Sequence, residues 1–173
     1  EDVGKEINSA YKEWRIRAFR ISGKLLAGKT VSEIENLKPG VRIIIERIRK
    51  NGKIMDPSPG LLIEEGDTVV FAARTNFMVE FQSLAGEEVA DRELMDFPME
   101  KMKIVVTQKG IAGMSLQRIA EEYGQGILLN KLIRGGQEMP FEAGTIMQGG
   151  DILHISGRKS DVDRTSIKLG YKE

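Results

Sequence analysis

Short apolar runs recur along the chain, and turns that contain glycine or proline separate them. Runs of this kind, rich in β-branched residues and bounded by turns, are typical of β-strands. Two helices are predicted beside them in the first half, a short one after a capping box of Thr30 and Glu33 and a closing one at 76–85. The predicted strands of this half are residues 17–21, 41–49, 53–55 and 68–73.

The second half of the chain repeats this pattern. An offset of 84 residues aligns positions 39–74 with positions 123–158, and eight of these 36 positions are identical, including Gly66-Asp67 on Gly150-Asp151. Its helices are predicted after the hydroxyl cap Ser115 and at 161–169, and its strands at 103–107, 127–134, 137–139 and 152–156. The chain is therefore predicted to be an α+β protein of two tandem β-α-β-β-β-α modules.

The distribution of charge suggests the domain boundaries. The chain has 26 basic and 26 acidic residues, yet residues 86–101 carry a net charge of −4 between two basic blocks. We therefore expect a helical lead-in at 1–14, a first module at 15–85, an acidic linker at 86–101 and a second module at 102–173. Because the chain starts at Glu1 rather than at Met, we also expect it to be part of a longer protein.

Composition excludes several classes of protein. The absence of cysteine excludes disulfides and Cys-ligated metal sites. Zero net charge argues against a general nucleic-acid or membrane-surface binder. No run approaches the roughly 18 apolar residues of a transmembrane helix.

One catalytic motif occurs literally. Residues 23–30 satisfy the P-loop pattern G-x-x-x-x-G-K-[ST], in which Lys29 would contact phosphate and Thr30 a magnesium ion. Bulky Leu25 and Leu26 lie within the would-be phosphate loop, and the repeated copy has no lysine before Ser115. We therefore expect a structural turn and no nucleotide hydrolysis.

Other catalytic or metal-binding patterns are weak. His154 is the single histidine, lies on a predicted strand, and lacks the second histidine or cysteine that a metal site would need. The acidic clusters around Glu64 and Asp161 lack the pattern of a calcium loop. We expect neither a metal ion nor a catalytic residue, and the protein is predicted not to be an enzyme.

A family resemblance rests on the block of residues 42–74. It contains a strand, a basic residue, a glycine turn, a proline spacer, Gly66-Asp67 and a closing apolar strand, and residues 126–158 repeat it. This pattern resembles the TrkA C-terminal domain, also called RCK_C. Two copies without a Rossmann half resemble the hydrophilic loop of the aspartate:alanine exchanger family, and the resemblance covers roughly residues 15–171.

The resemblance implies a regulatory role in transport. It implies a ligand-sensing or dimerising domain pair on the cytoplasmic face of the cell membrane, attached to the transmembrane helices of an antiporter like the aspartate:alanine exchangers. Residues 1–14 would then lead in from a membrane segment. The alternative is a regulatory subunit of a potassium channel or cation transporter.

The same resemblance suggests a ligand, since some RCK_C modules bind cyclic di-AMP between paired copies. The resemblance therefore makes cyclic di-AMP or another small effector a candidate ligand, but a module core and a protein interface explain the same strands better. Gly135 stands where the first module has Asn51, which argues against a symmetric site. The residues that match the ligand region are Ile43, Ile44, Arg49, Asn51, Ile127, Leu128 and Arg134.

Two strands have more apolar positions than one buried face requires. Strand 41–49 has five such residues, and strand 127–134 has the same excess. We expect both faces of these strands to be covered, one by the module's own helices and one by another module. Because a module of about 70 residues buries little of its surface alone, either the two modules pair within one chain about a pseudo-twofold axis or each pairs with its equivalent in a second chain. The RCK_C resemblance implies paired modules, and we therefore expect a homodimer.

Overall fold

A computed structural model describes residues 14–173, and the predicted lead-in falls outside this range except for Trp14. The described part of module 1, residues 14–96, contains five strands and three helices. Its strands are β1 (Trp14–Ile21), β2 (Ile44–Lys50), β3 (Lys53–Met55), β4 (Thr68–Arg74) and β5 (Gly86–Val89). Its helices are α1 (Val31–Glu35), α2 (Thr75–Ala85) and α3 (Arg92–Met95). The strands form an antiparallel sheet in the order β3-β2-β4-β1-β5.

Module 2 forms a second sheet with equivalent strand order, β8-β7-β9-β6-β10. Its strands are β6 (Met99–Val106), β7 (Ile127–Arg134), β8 (Gln137–Met139), β9 (Ile152–Arg158) and β10 (Gly170–Lys172). Its helices are α4 (Leu116–Tyr123) and α5 (Lys159–Leu169). Both modules therefore contain the predicted β-α-β-β-β-α order, which confirms the α+β prediction, and each adds a fifth strand after its closing helix.

The segment predicted to be a linker is folded. Gly86–Val89 pairs with β1, Arg92–Met95 is helical, and β6 begins at Met99. The sequence boundary between the two compact units falls after Asp96. Gly86 has φ 133°, and a Cβ there would collide with the carbonyl oxygen of Arg20. A glycine at this position lets the chain leave α2 and run back along β1. Glu87 and Glu88 are therefore part of a sheet edge, and Glu88 forms a 3.2 Å ion pair with Arg17.

A β-bulge interrupts the same strand in both modules. Glu46 is the extra residue between Ile45 and Arg47 in β2, and Asn130 is the extra residue between Leu129 and Lys131 in β7. A bulge shifts the alternation of side chains by one position and bends the strand. This shift accounts for part of the apolar excess that a regular alternation would not explain.

Strand β2 is covered on both faces, as expected. Ile45 belongs to the core cluster under the helices, and Ile44 on the opposite face is 2% exposed. Part of this opposite face is covered from within module 1 rather than by another module. Arg47, next to Ile44 on that face, donates through Nη1 to the carbonyls of Leu94 (3.3 Å) and Asp96 (3.1 Å), and Leu94 is fully buried.

Candidate functional site

The β2–β3 hairpin carries two of the predicted ligand residues. Asn51 and Gly52 form its turn with φ 51° and 78°, the left-handed pair that a tight hairpin requires. Asn51 is exposed at the tip. Arg49 lies one pair behind the turn, opposite Ile54, and its Nη1 donates to the carbonyl of Gly52 at 3.3 Å.

Asp91 holds the guanidinium of Arg49. Arg49 donates through Nε to Asp91 Oδ2 at 2.8 Å and through Nη2 to Oδ1 at 3.1 Å, a bidentate pair. The hydrogen bond from Arg49 lowers the pKa of Asp91 despite partial burial, so the pair stays ionised at neutral pH. Asp91 also caps α3 by accepting from the N–H of Leu94 at 3.1 Å. Arg49 therefore fastens the segment after β5 to the sheet.

Arg134 in module 2 is held by a different partner. It donates through Nε and Nη2 to the two carboxylate oxygens of Asp151, both at 2.9 Å, and through Nη2 to the carbonyl of Ile146 at 3.0 Å. The equivalent pair in module 1 is Lys50 with Asp67, at 2.7 Å. In both modules this pair ties the hairpin strand to the Gly-Asp turn that precedes the last core strand.

Arg49 and Arg134 are therefore not equivalent, although both were predicted as ligand residues. Arg49 corresponds to Ile133, which pairs with β8 and β9 at the same register, and Arg134 corresponds to Lys50. Because adjacent residues of a strand point to opposite faces, the two arginines lie on opposite faces of their sheets.

The apolar candidates lie away from the charged ones. Ile43 and Ile44 are 1% and 2% exposed at the start of β2, whereas Arg49 and Asn51 lie at its other end. Seven strand residues span about 20 Å, so module 1 does not bring these four side chains together. Ile127 and Leu128 are likewise buried at the start of β7, and Arg134 is at its end.

A charged cluster that the sequence analysis missed lies at the start of β2. Burial lowers the pKa of Arg42 to about 10, and the carboxylates of Glu35 and Glu46 act in the opposite direction. Glu46 is fully buried at the β-bulge, and Glu35 accepts a hydrogen bond from the N–H of Ile45 at 3.4 Å. An acidic residue inside an apolar run was the available signal in the sequence. Module 2 has Gly126 and Asn130 at the positions of Arg42 and Glu46, so the cluster belongs to module 1.

The P-loop pattern forms a turn in which the amides of Gly28 and Lys29 are bonded to the carbonyls of Ile63 and Leu26. Gly28 N–H donates to the carbonyl of Ile63 at 2.8 Å, and Leu26 is fully buried. The Thr30 hydroxyl accepts from Glu33 N–H at 3.2 Å, and Glu33 accepts from Thr30 N–H at 3.3 Å, which confirms the predicted capping box. The helix that follows has five residues. The amides of Gly28 and Lys29 are therefore not available to a phosphate.

His154 lies at the centre of the exposed face of the second sheet, opposite Lys103 on β6 and Lys131 on β7. Partial burial and then the two lysines lower the pKa of His154, so the imidazole is neutral at pH 7. Among residues 14–173, no group of three or more acidic or histidine side chains is placed to hold a metal ion.

Comparison with known proteins finds transporters. An uncharacterized transporter of Bradyrhizobium diazoefficiens is 34% identical over 164 residues, which are 94% of this chain and 32% of that protein. An uncharacterized transporter of Shewanella oneidensis is 31% identical over 96% of this chain and 31% of its own length. This chain thus spans about a third of the length of these curated relatives. Within residues 14–173, no helix is long and apolar enough to cross a membrane.

A solved structure and a family model also match parts of this chain. The RCK domain of GsuK covers 92% of this chain and 65% of its own, with 11% identity and a TM-score of 0.39. The family model of the TrkA-C domain matches residues 16–86, from β1 to the end of α2 and the first residue of β5. Module 2 repeats the strand order of this match. Residues 16–86 of this chain are therefore similar to a TrkA-C domain.

Proposed function

We propose that this chain is the regulatory part of a membrane transporter, an antiporter like the aspartate:alanine exchangers, on the cytoplasmic face of the membrane. The similarity to transporters across more than nine-tenths of this chain carries the proposal, because it includes both modules and not only the TrkA-C match. The relatives are about three times longer than this chain, which leaves room for transmembrane helices as its partners. The tandem RCK_C pattern supports the exchanger type.

The regulatory role is non-catalytic in this proposal. Two features favour it: the amides of Gly28 and Lys29 in the P-loop-like turn are bonded to Ile63 and Leu26, and Arg49 and Arg134 are both held by carboxylates. A small effector such as cyclic di-AMP would then act by binding, and the hairpin residues named from the resemblance remain its predicted contacts.

Transport by the full-length protein tests this function. The protein is reconstituted in liposomes loaded with alanine, and uptake of labelled aspartate is compared with that of a variant whose residues 14–173 are replaced by a glycine-serine linker. We expect both proteins to exchange the two amino acids. We expect the exchange rate to respond to a small effector such as cyclic di-AMP in the unchanged protein and not in the variant. If no apolar segment of transmembrane length flanks this chain in its gene, the transporter-loop proposal is wrong and the separate regulatory subunit of a potassium channel or cation transporter is favoured. If the protein exchanges other solutes but not aspartate and alanine, the aspartate:alanine type is contradicted and the regulatory role in a transporter is not.

We also propose that two copies associate, because RCK_C modules pair with one another. Sedimentation at micromolar concentration should then give about twice the 19.3 kDa chain mass. A charge at Ile44 on β2, as in Ile44→Asp, is not a suitable test of the dimer. Ile44 is already buried within one chain, so its replacement would unfold module 1. A chain mass that stays at the monomer value at every concentration would rule out the homodimer.

A further inference from the structure

A groove of about 450 Å³ opens on module 2, between the loop after β6, helix α4 and the last turn of α5. Sites for small molecules are typically about 300–1,000 Å³. The groove lies within one module, and none of the predicted ligand residues lines it. It is therefore a candidate site separate from the hairpins.

The charge of the groove is positive. Lys109, Arg118 and Lys168 line it, together with one carboxylate, Glu122. Arg118 Nε donates to Glu122 Oε1 at 2.8 Å, and this hydrogen bond lowers the pKa of Glu122, so these two charges compensate each other. Among the residues that the structure describes, Lys109 and Lys168 have no ion-pair partner. Two positive charges thus remain for a ligand.

Apolar side chains form the rest of the lining. Ile111 and Met114 are 3% and 9% exposed and form the floor, whereas Ile167 stands on one wall and is 72% exposed. An isoleucine exposed to this extent gains from contact with an apolar ligand, because burial removes its surface from water. Charge at the rim and apolar surface at the floor fit a ligand that is both anionic and partly hydrocarbon.

Module 1 has a lysine, Lys24, at the position of Lys109 but does not repeat the other charges of the groove, so the fold does not require them. Leu84 packs against the core, and Glu33 belongs to the capping box of α1. Leu25, Glu33 and Leu84 stand where module 2 has Gly110, Arg118 and Lys168. The cationic groove is therefore specific to module 2.

We propose that this groove binds a small organic dianion, with its anionic groups against Lys109 and Lys168 and its apolar part on Ile111 and Met114. Carboxylate and phosphate oxygens both satisfy a lysine ammonium, which acts as a point charge without the planar geometry of arginine. The proposal is independent of the transporter function, because module 2 forms the groove alone and the isolated chain can bind.

Calorimetric titration of the 173-residue chain tests the proposal with two probe series at low salt. One series contains linear dicarboxylates of increasing length, and the other contains monoalkyl phosphates. We expect one series to bind, with affinity that rises with the length of the hydrocarbon and falls with added salt. The series that binds identifies the anionic group.

Variants locate the binding. Lys109→Gln and Lys168→Gln should each weaken the affinity about fivefold or more. Ile167→Glu, which adds a negative charge to the exposed wall, should weaken it without unfolding the chain. The matched control is Lys24→Gln, at the position in module 1 that corresponds to Lys109, and it should leave the affinity unchanged. Absence of binding by both series at millimolar concentration, or an equal loss in the control variant, would overturn the proposal.

Discussion

The closing helices of the two modules are attached to their sheets by different chemistry. In module 1, Phe77 and Phe81 of α2 join Phe19 and Phe71 of the sheet, with ring centroids 4.3 to 6.1 Å apart. In module 2, Asp161 and Thr165 of α5 occupy the positions of Phe77 and Phe81, and both are buried. The same topology is thus stabilised by an aromatic cluster in one module and, beside the buried Val162 and Leu169, by a polar network in the other.

The polar network of module 2 consists of hydrogen bonds, which require a defined geometry of donor and acceptor. Asp161 accepts from Arg158 at 3.3 Å and from Arg164 at 2.8 Å, and Thr165 donates to the carbonyl of Tyr123 at 2.7 Å. Buried hydrogen bonds fix one arrangement of a helix, whereas apolar contacts tolerate small displacements. The comparison indicates that the fold needs a buried helix face at this position and does not prescribe its chemistry.

The largest expected effect is in the aromatic cluster. Phe81 is fully buried, so Phe81→Ala should lower the free energy of unfolding of module 1 by about 3–5 kcal/mol through lost burial and a cavity. Urea unfolding followed by Trp14 fluorescence measures this module, since Trp14 is the single tryptophan and lies in β1. The control Val79→Ala, on the exposed side of the same helix, should change stability by less than about 0.5 kcal/mol. Equal losses in the two variants would show that the cluster is not what holds α2.

A smaller loss is expected in the polar network. Asp161→Ala removes the buried carboxylate that Arg158 and Arg164 contact, and it should destabilise module 2 by about 2 kcal/mol. Hydrogen exchange of the β9 amides measures this loss. Asp163→Ala removes an exposed carboxylate two residues along α5 and should have little effect. If slow exchange of β9 survives Asp161→Ala, the network is dispensable and the comparison fails.

Local signals in the sequence predicted much of this fold. Contacts between residues far apart in sequence could not be predicted from such signals. Strands 53–55 and 137–139 were predicted with their observed bounds, because Asn51-Gly52 and Gly135-Gly136 fix the hairpin register. The acidic segment after α2 was wrongly expected to be a linker, since its pairing with β1 depends on a reversal at Gly86. Thr165 finds its acceptor 42 residues away in sequence, and no local pattern predicts such a contact. At the candidate site, the sequence did not predict Asp91 as the partner of Arg49, because these residues are also 42 positions apart.

The next effect depends on pH. Burial alone would raise the pKa of Asp151, but hydrogen bonds from Arg134 and from the N–H of Gln148 outweigh it and lower the pKa. The contribution of Asp151 is therefore complete above the pKa of an unfolded aspartate, about 3.9, and is lost as the pH falls through the folded pKa. Urea unfolding at acidic and neutral pH should show a loss of stability in acid that Asp151→Asn reduces. Glu142→Gln, an exposed control, should retain the wild-type dependence, and an unchanged dependence in Asp151→Asn would contradict the assignment.

The smallest expected effect separates the two modules at their first helices. Thr30 and Glu33 form a reciprocal capping box at α1, whereas Ser115 caps α4 alone because Arg118, at the third helical position, has no acceptor for the returning bond. Thr30→Ala and Ser115→Ala should each cost about 1 kcal/mol, since each leaves one backbone N–H without its side-chain acceptor. Glu33→Ala should cost about 0.5 kcal/mol more than Ser32→Ala, an exposed control in the same turn, because it also frees Thr30 N–H. Chemical denaturation of the four variants measures these differences. Equal stabilities for Glu33→Ala and Ser32→Ala would mean that the second bond of the box adds nothing, and that both modules begin their helices with a single cap of equal strength.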